Sequence, residues 1–233
     1  MDKHQQLINY VASHKAANVV DIDREYDRLF QFDFTANNTQ LSPDVIADTH
    51  KFSAWVDDRL TANNCIYGIG GYMEHRTLYA RSAIFNTATE EPRRLHLGVD
   101  IWGPAGTPVY SPYSATVHSF QHNAAFGDYG PTIILQHNLD GLTLYSLYGH
   151  LNTESLYDLY EGMVVEQGRQ IASFGTETVN GNWPPHLHFQ LMYNMQGLQG
   201  DYPGVCRFSE KDVYQQNIPD PEIILQFNHA TII

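Results

Sequence analysis

The 233 residues carry 13 Lys and Arg against 26 Asp and Glu, a formal charge of −13, with 42% hydrophobic and 12% aromatic residues. This composition supports one sizeable core and does not indicate disorder. The acidic balance and the lack of any Lys/Arg cluster argue against nucleic acid, anionic wall polymers or membranes as electrostatic partners, because phosphate contacts need grouped cations.

Leu7, Ile8, Val11 and Ala12 recur at helical spacing and predict a short first helix, followed by an Asp-rich stretch from Asp21 to Asp27. The N-terminus lacks the uninterrupted apolar core of a signal peptide, and no later stretch approaches the roughly 18 apolar residues of a membrane span. A cytoplasmic protein with no membrane insertion is therefore expected, unless a leader is removed or export takes another route. Ser42, Pro43 and Asp44 form a helix start, and Val45, Ile46, Phe52, Val56 and Leu60 mark one apolar face of a helix that Asn63 and Asn64 stop. Residues 1–65 thus read as a helical extension. Cys65 and Cys206 lie far apart in sequence and are expected to be free thiols.

Beyond Cys65 the sequence becomes Gly-rich and β-prone. If Tyr72, Glu74 and Arg76 lie on a strand they share a face, either as a cleft wall or as a solvated Glu74–Arg76 edge pair. After Asp100, strands are predicted over 108–110, 116–120, 132–136, 142–148, 169–174 and 186–193, separated by turn signals. The pattern is mainly β. It predicts an antiparallel sheet or barrel-sandwich domain over 66–195 with a wet groove on one face. Residues 196–233 read as a Gly/Pro loop and a tail packed on that domain, with a last short element between Pro219 and Phe227.

Two short clusters carry the chemistry. His96 and Asp100 would lie about 13 Å apart on an extended strand, too far for one ion, so the chain must bend between them. Gly98, which can take backbone angles closed to other residues, sits in the middle of that span. In the second cluster His186 and His188 alternate with Leu187, Phe189 and Leu191, so on a strand both imidazoles share one face and the apolar side chains pack the core behind. Two His and one Asp suit zinc, and three protein ligands leave a fourth position for water. Spacing alone leaves open whether His186 or His188 is the ligand.

These residues stand in an ordered series: His96, Asp100 and Gly106-Thr107-Pro108-Val109, then Tyr148-Gly149-His150-Leu151, then His186 and His188. The series resembles the M23 zinc metallopeptidases, the lysostaphin-like peptidoglycan endopeptidases, over residues 94 to 193. The resemblance implies one zinc per chain held by His96, Asp100 and His188, with His150 and His186 moving protons, and a peptide or peptidoglycan substrate. Two departures stand out. Tyr113 to Val117 lacks the Gly that commonly precedes the family's Val, and Trp183-Pro184 replaces its frequent Thr-Gly, which predicts a bulkier cleft rim.

The remaining histidines, His4, His14, His50, His75, His118, His122 and His229, are expected at the surface or at caps, and His137 as a satisfied residue closing a strand. A biotin or lipoyl carrier would share the rhythm of short strands but needs a lysine, and none occurs between Lys51 and Lys211. An inactive M23-like binding or regulatory module would typically have lost a ligand, whereas the set here is complete. A zinc peptidase acting on an intracellular peptide is the other alternative.

Overall fold

The apolar face of Leu7 and Val11 forms α1 (Lys3–Ser13), with Leu7 fully buried. The structure is a computed structural model that describes residues 2–86 and 89–233. The single helix expected from Pro43 to Leu60 is instead two. After β1 (Arg28–Gln31), α2 (Pro43–Ala47) and α3 (Thr49–Ala62) meet at Asp48. Ser42 caps the first by accepting from the Val45 amide. Asp48 takes extended angles and accepts from the Lys51 amide, so its side chain replaces the backbone bond that would have continued the helix.

The strands that follow are β2 (Tyr67–Gly70), β3 (Leu95–His96), β4 (Val99–Trp102), β5 (Pro108–Tyr110), β6 (Ala115–Asn123), β7 (Gly130–Leu139) and β8 (Leu142–Gly149). They continue with β9 (Val164–Val165), β10 (Gln170–Ser173), β11 (His186–Met192) and β12 (Val205–Cys206), and the chain closes with α4 (Lys211–Asn217), α5 (Glu222–Leu225) and β13 (Thr231–Ile232). The main sheet has nine strands in the order β13-β1-β2-β4-β11-β8-β7-β6-β9. Among the described residues it is open, the sheet form of the expected sheet or barrel-sandwich domain. Pairing is antiparallel from β2 to β9, and parallel where β1 lies between β13 and β2. The N-terminal extension therefore supplies a strand as well as helices.

Alternation along β11 divides the molecule into two layers. Leu187, Phe189 and Leu191 enter a core shared with Ile101, Leu135 and Tyr148 of neighbouring strands and with Leu7, Ile224 and Leu225 of α1 and α5. His186, His188 and Gln190 occupy the opposite face. The extension covers part of that face with Phe32, Phe34, Phe52, Val56 and Leu60, packed around Trp102, and leaves a cleft over the histidines. Trp102 meets the rings of Phe34, Phe52 and Phe32 at centroid distances of 5.3, 6.0 and 6.2 Å. Each such ring removed from water stabilises the fold by about 1.5–3 kcal/mol. Gly68 makes the contact possible, since a Cβ there would lie 2.1 Å from the Phe32 ring.

The segment after β2 is a turn, so Tyr72, Glu74 and Arg76 share no strand face. The solvated-edge reading of the Glu74–Arg76 pair fails, because Arg76 is 1% exposed. Both cysteines are free thiols, with Cys206 buried.

Candidate metal centre

Register brings two of the predicted ligands together. On β11, His188 stands opposite Asp100 of β4, and His186 opposite Trp102. His96 ends β3, and the chain bends at Gly98 before β4 begins. Gly98 serves this arrangement differently from the expectation, because its φ is not positive. Its need is space: a Cβ there would lie 2.7 Å from His188 Nε2 and 2.7 Å from the Phe189 carbonyl oxygen.

The donor atoms of His96, Asp100 and His188 converge. His96 Nε2 lies 3.0 Å from His188 Nδ1 and 3.3 Å from Asp100 Oδ1, and His188 Nδ1 lies 3.1 Å from the same oxygen. All three residues are buried, at most 3% exposed. Their tautomers follow from the outer hydrogen bonds. His96 Nδ1 faces the Gly71 carbonyl at 2.9 Å, which only accepts, so Nδ1 carries the proton and Nε2 a lone pair. Gln190 donates its amide to the Pro203 carbonyl at 3.1 Å, which turns Oε1 towards His188 Nε2 at 3.0 Å and leaves His188 Nδ1 unprotonated.

In these neutral tautomers two nitrogen lone pairs and a carboxylate oxygen face one another. Burial, followed by the nearby Arg76 charge, pushes His96 down to about 4, so its Nε2 carries no proton at neutral pH. Burial alone would raise the Asp100 carboxyl, yet His96 and Arg76 outweigh it and hold it well below the usual carboxylate range. A cation resolves the repulsion. Tetrahedral zinc with bonds of about 2.0–2.1 Å sets its donors about 3.3 Å apart, close to the three separations observed. The donor set fits zinc.

His186 and His150 flank this cluster. His186 donates Nδ1–H to the Pro184 carbonyl at 2.7 Å and stacks on Trp102 at 3.9 Å between centroids, and its Nε2 lies 3.9 Å from Asp100 Oδ1. His150 follows β8 with φ +63°, a left-handed conformation uncommon outside glycine. That turn directs its ring inward, where Nδ1–H donates to the Asn180 carbonyl at 2.8 Å and the ring centroid lies 4.1 Å from that of His186. Each therefore keeps Nε2 unprotonated. Burial pushes His186 down to about 4 and His150 well below its ordinary value, so both are neutral bases at physiological pH.

A cleft of about 190 Å³ opens onto these groups, lined by Tyr79, Phe85, Tyr129, Trp183, Tyr202 and Asp128. Trp183 supplies the bulky rim expected from the sequence. His137 does not reach the cleft. It is buried behind the sheet, bonded to the Ser114 carbonyl at 3.2 Å and to Ser146 Oγ at 2.7 Å. His4, His14, His50, His75, His118, His122 and His229 are exposed or half-buried.

Residues 94–199 match the family model of peptidase family M23. That segment resembles the M23 peptidases. It contains all five site residues. Similar solved structures include a zinc-containing peptidase from Vibrio cholerae at 24% identity, covering 47% of this chain and 34% of that one with a TM-score of 0.34. Csd3 of Helicobacter pylori is similar at 24% identity, with 53% of this chain and 32% of that one covered and a TM-score of 0.34. The catalytic domain of the antimicrobial peptidase lysostaphin from Staphylococcus simulans is similar at 22% identity, with 70% and 97% covered and a TM-score of 0.37. The chain spans about a third of the length of the first two. Among curated proteins, comparison finds no match.

Several residues around the M23 site carry no signal of their own in the sequence. Arg76 is one, because nothing local to Glu74-His75-Arg76 tells a buried guanidinium from a surface one. Gln190 was within reach, as it continues the period of two set by His186 and His188.

Proposed function

We propose that this protein is a zinc-dependent metalloendopeptidase that hydrolyses peptide bonds in peptidoglycan cross-links or stem peptides. The observation that carries the reading is the convergence of the donor atoms of His96, Asp100 and His188 in one buried cluster, beside two further histidines that line the same cleft. His96 Nε2, Asp100 Oδ1 and His188 Nδ1 would hold the ion. Bound zinc supplies Lewis-acid activation of water and of the scissile carbonyl.

The remaining work belongs to this chain's own groups. His150 and His186 are neutral at working pH, so either accepts a proton at Nε2 as attack proceeds. The Asn180 and Pro184 carbonyls fix each Nδ1–H and thereby keep Nε2 aimed inward. A protonated imidazole buried in this site is costly, which favours its prompt transfer of the proton to the departing amine. The aromatic walls of the cleft exclude water around the substrate chain and hold it in place.

The test is incubation of the zinc-loaded protein with purified peptidoglycan and with glycine-rich peptides, with products read by mass spectrometry and bound metal by elemental analysis. New peptide termini and about one zinc per chain are expected. Zinc uptake without cleavage of any wall substrate would point to a binding module or to another peptide substrate, and failure to take up zinc would overturn the reading.

A further inference from the structure

Arg76 lies outside the M23-matched segment, yet it bonds a predicted ligand of the metal centre. Its guanidinium is 1% exposed and is gripped on several sides. Nε donates to Glu74 Oε2 at 2.6 Å, and Nη1 donates to Tyr79 Oη at 3.2 Å and to Asp100 Oδ2 at 2.5 Å. Its plane lies over Phe34 at 5.3 Å from the ring centroid. Gly70 gives it room on the sheet, since a Cβ there would lie 2.5 Å from Nη2. Glu74 is tied in turn to the extension, its Oε1 accepting the Phe34 amide at 3.1 Å. A continuous path of polar contacts thus runs from Phe34 through Glu74 and Arg76 to Asp100.

The consequence lies in how Asp100 divides its two oxygens. Oδ1 faces His96 and His188, and Oδ2 is taken by Arg76. A carboxylate with both oxygens free can turn either or both of them to a cation. A carboxylate with one oxygen held by a rigid, buried guanidinium cannot, because a rotation that brings Oδ2 inward breaks a charge-assisted bond with no water to replace it. We propose that Arg76 is a positioning residue that restricts Asp100 to a single ligating oxygen and so keeps the remaining coordination position of the metal free for water and substrate. The inference rests on the metal-centre reading above. It also makes the segment before residue 94 part of the working site, although the ligands themselves lie beyond it.

The direct readout is the infrared difference spectrum between zinc-loaded and metal-free protein labelled with ¹³C-aspartate. The separation of the two carboxylate stretches is wide when one oxygen ligates and narrow when both do. The unmodified protein should show the wide separation, and Arg76→Gln should show the narrow one while still binding one zinc. Turnover in the variant should fall about 10- to 100-fold, as for other residues that orient a ligand. KM should change less than turnover, because Arg76 borders the cleft but is only 1% exposed. Arg76→Gln leaves half-buried Glu74 and buried Asp100 without their cation, which can cost the fold itself. Glu74→Gln combined with Arg76→Gln removes equal and opposite charges and is the second variant. A narrow separation in the unmodified protein, which needs no variant, overturns the proposal. So does an unchanged wide separation in either folded variant. Absence of any zinc-induced carboxylate change in the unmodified protein would instead overturn the metal-centre reading itself.

Discussion

Gly98→Ala is the substitution that most directly probes how the metal centre is assembled. The added methyl would sit 2.7 Å from both His188 Nε2 and the Phe189 carbonyl oxygen, about 0.7 Å inside the 3.4 Å at which ordinary contact begins. One obstacle is backbone of the central strand β11. The other is the ring of a predicted ligand that Gln190 already holds by Nε2. Neither is the free end of a flexible chain, so the strain must be taken up by moving β11 against β4 or by turning His188. Overpacking of this kind costs about 1–3 kcal/mol. For a chain of this length that is a fall of roughly 2–12 °C in melting temperature. If His188 turns by even a fraction of an ångström, the three donor atoms no longer share one centre, and zinc affinity should fall about tenfold or more. Thermal melts in the presence of chelator give the packing term, and competition against a chromophoric chelator gives the affinity. A Gly98→Ala protein with unchanged melting temperature and unchanged zinc affinity would refute the argument that this glycine exists to admit His188.

The flanking histidines should separate on mutation: His188→Ala loses zinc, whereas His186→Ala and His150→Ala keep it and lose about a hundred to ten-thousandfold in turnover, measured as zinc stoichiometry beside rate. Zinc lost from His186→Ala and retained by His188→Ala would exchange the two roles. Acid should destabilise the metal-free protein through His137, which burial pushes down to about 4. The unfolded chain binds this proton with ordinary histidine affinity and the folded chain does not. That stability is therefore fully present above about pH 6.5 and falls by about 3 kcal/mol as the pH is lowered to 4. His137→Gln, followed by denaturant unfolding in chelator, should flatten that dependence, and an unaltered slope would refute the assignment. Truncation to residue 66 should yield an insoluble or unfolded protein, because it removes β1 from between β13 and β2 and uncovers Trp102; a folded, soluble product by circular dichroism and gel filtration would contradict this.

Chemistry confined to short spans was legible in the sequence. The alternation of His186, Leu187, His188 and Phe189 sets which side chains meet the core and which meet the site, because a strand admits only two faces. The pairing of His96 with Asp100 around a small residue announced a bend, and the two imidazoles and a carboxylate that could hold a metal do converge in one buried cluster. The tertiary structure decided what depends on residues distant along the chain. Asp48 ends one helix and starts another because its carboxylate finds the Lys51 amide. β1 exists because β2 and β13 arrive on either side of it, and four residues such as Arg28-Leu29-Phe30-Gln31 carry too little pattern to declare a strand alone. Gly98 illustrates the division: its sequence position marked a turn, but its requirement comes from His188, 90 residues later in the chain and 2.7 Å away in space. Arg76 is the extreme case. A Glu-x-Arg pair reads locally as either a cleft wall or a solvated edge, and only the closing of Phe34, Gly70 and Tyr79 around it removes the water that would otherwise screen its charge from Asp100.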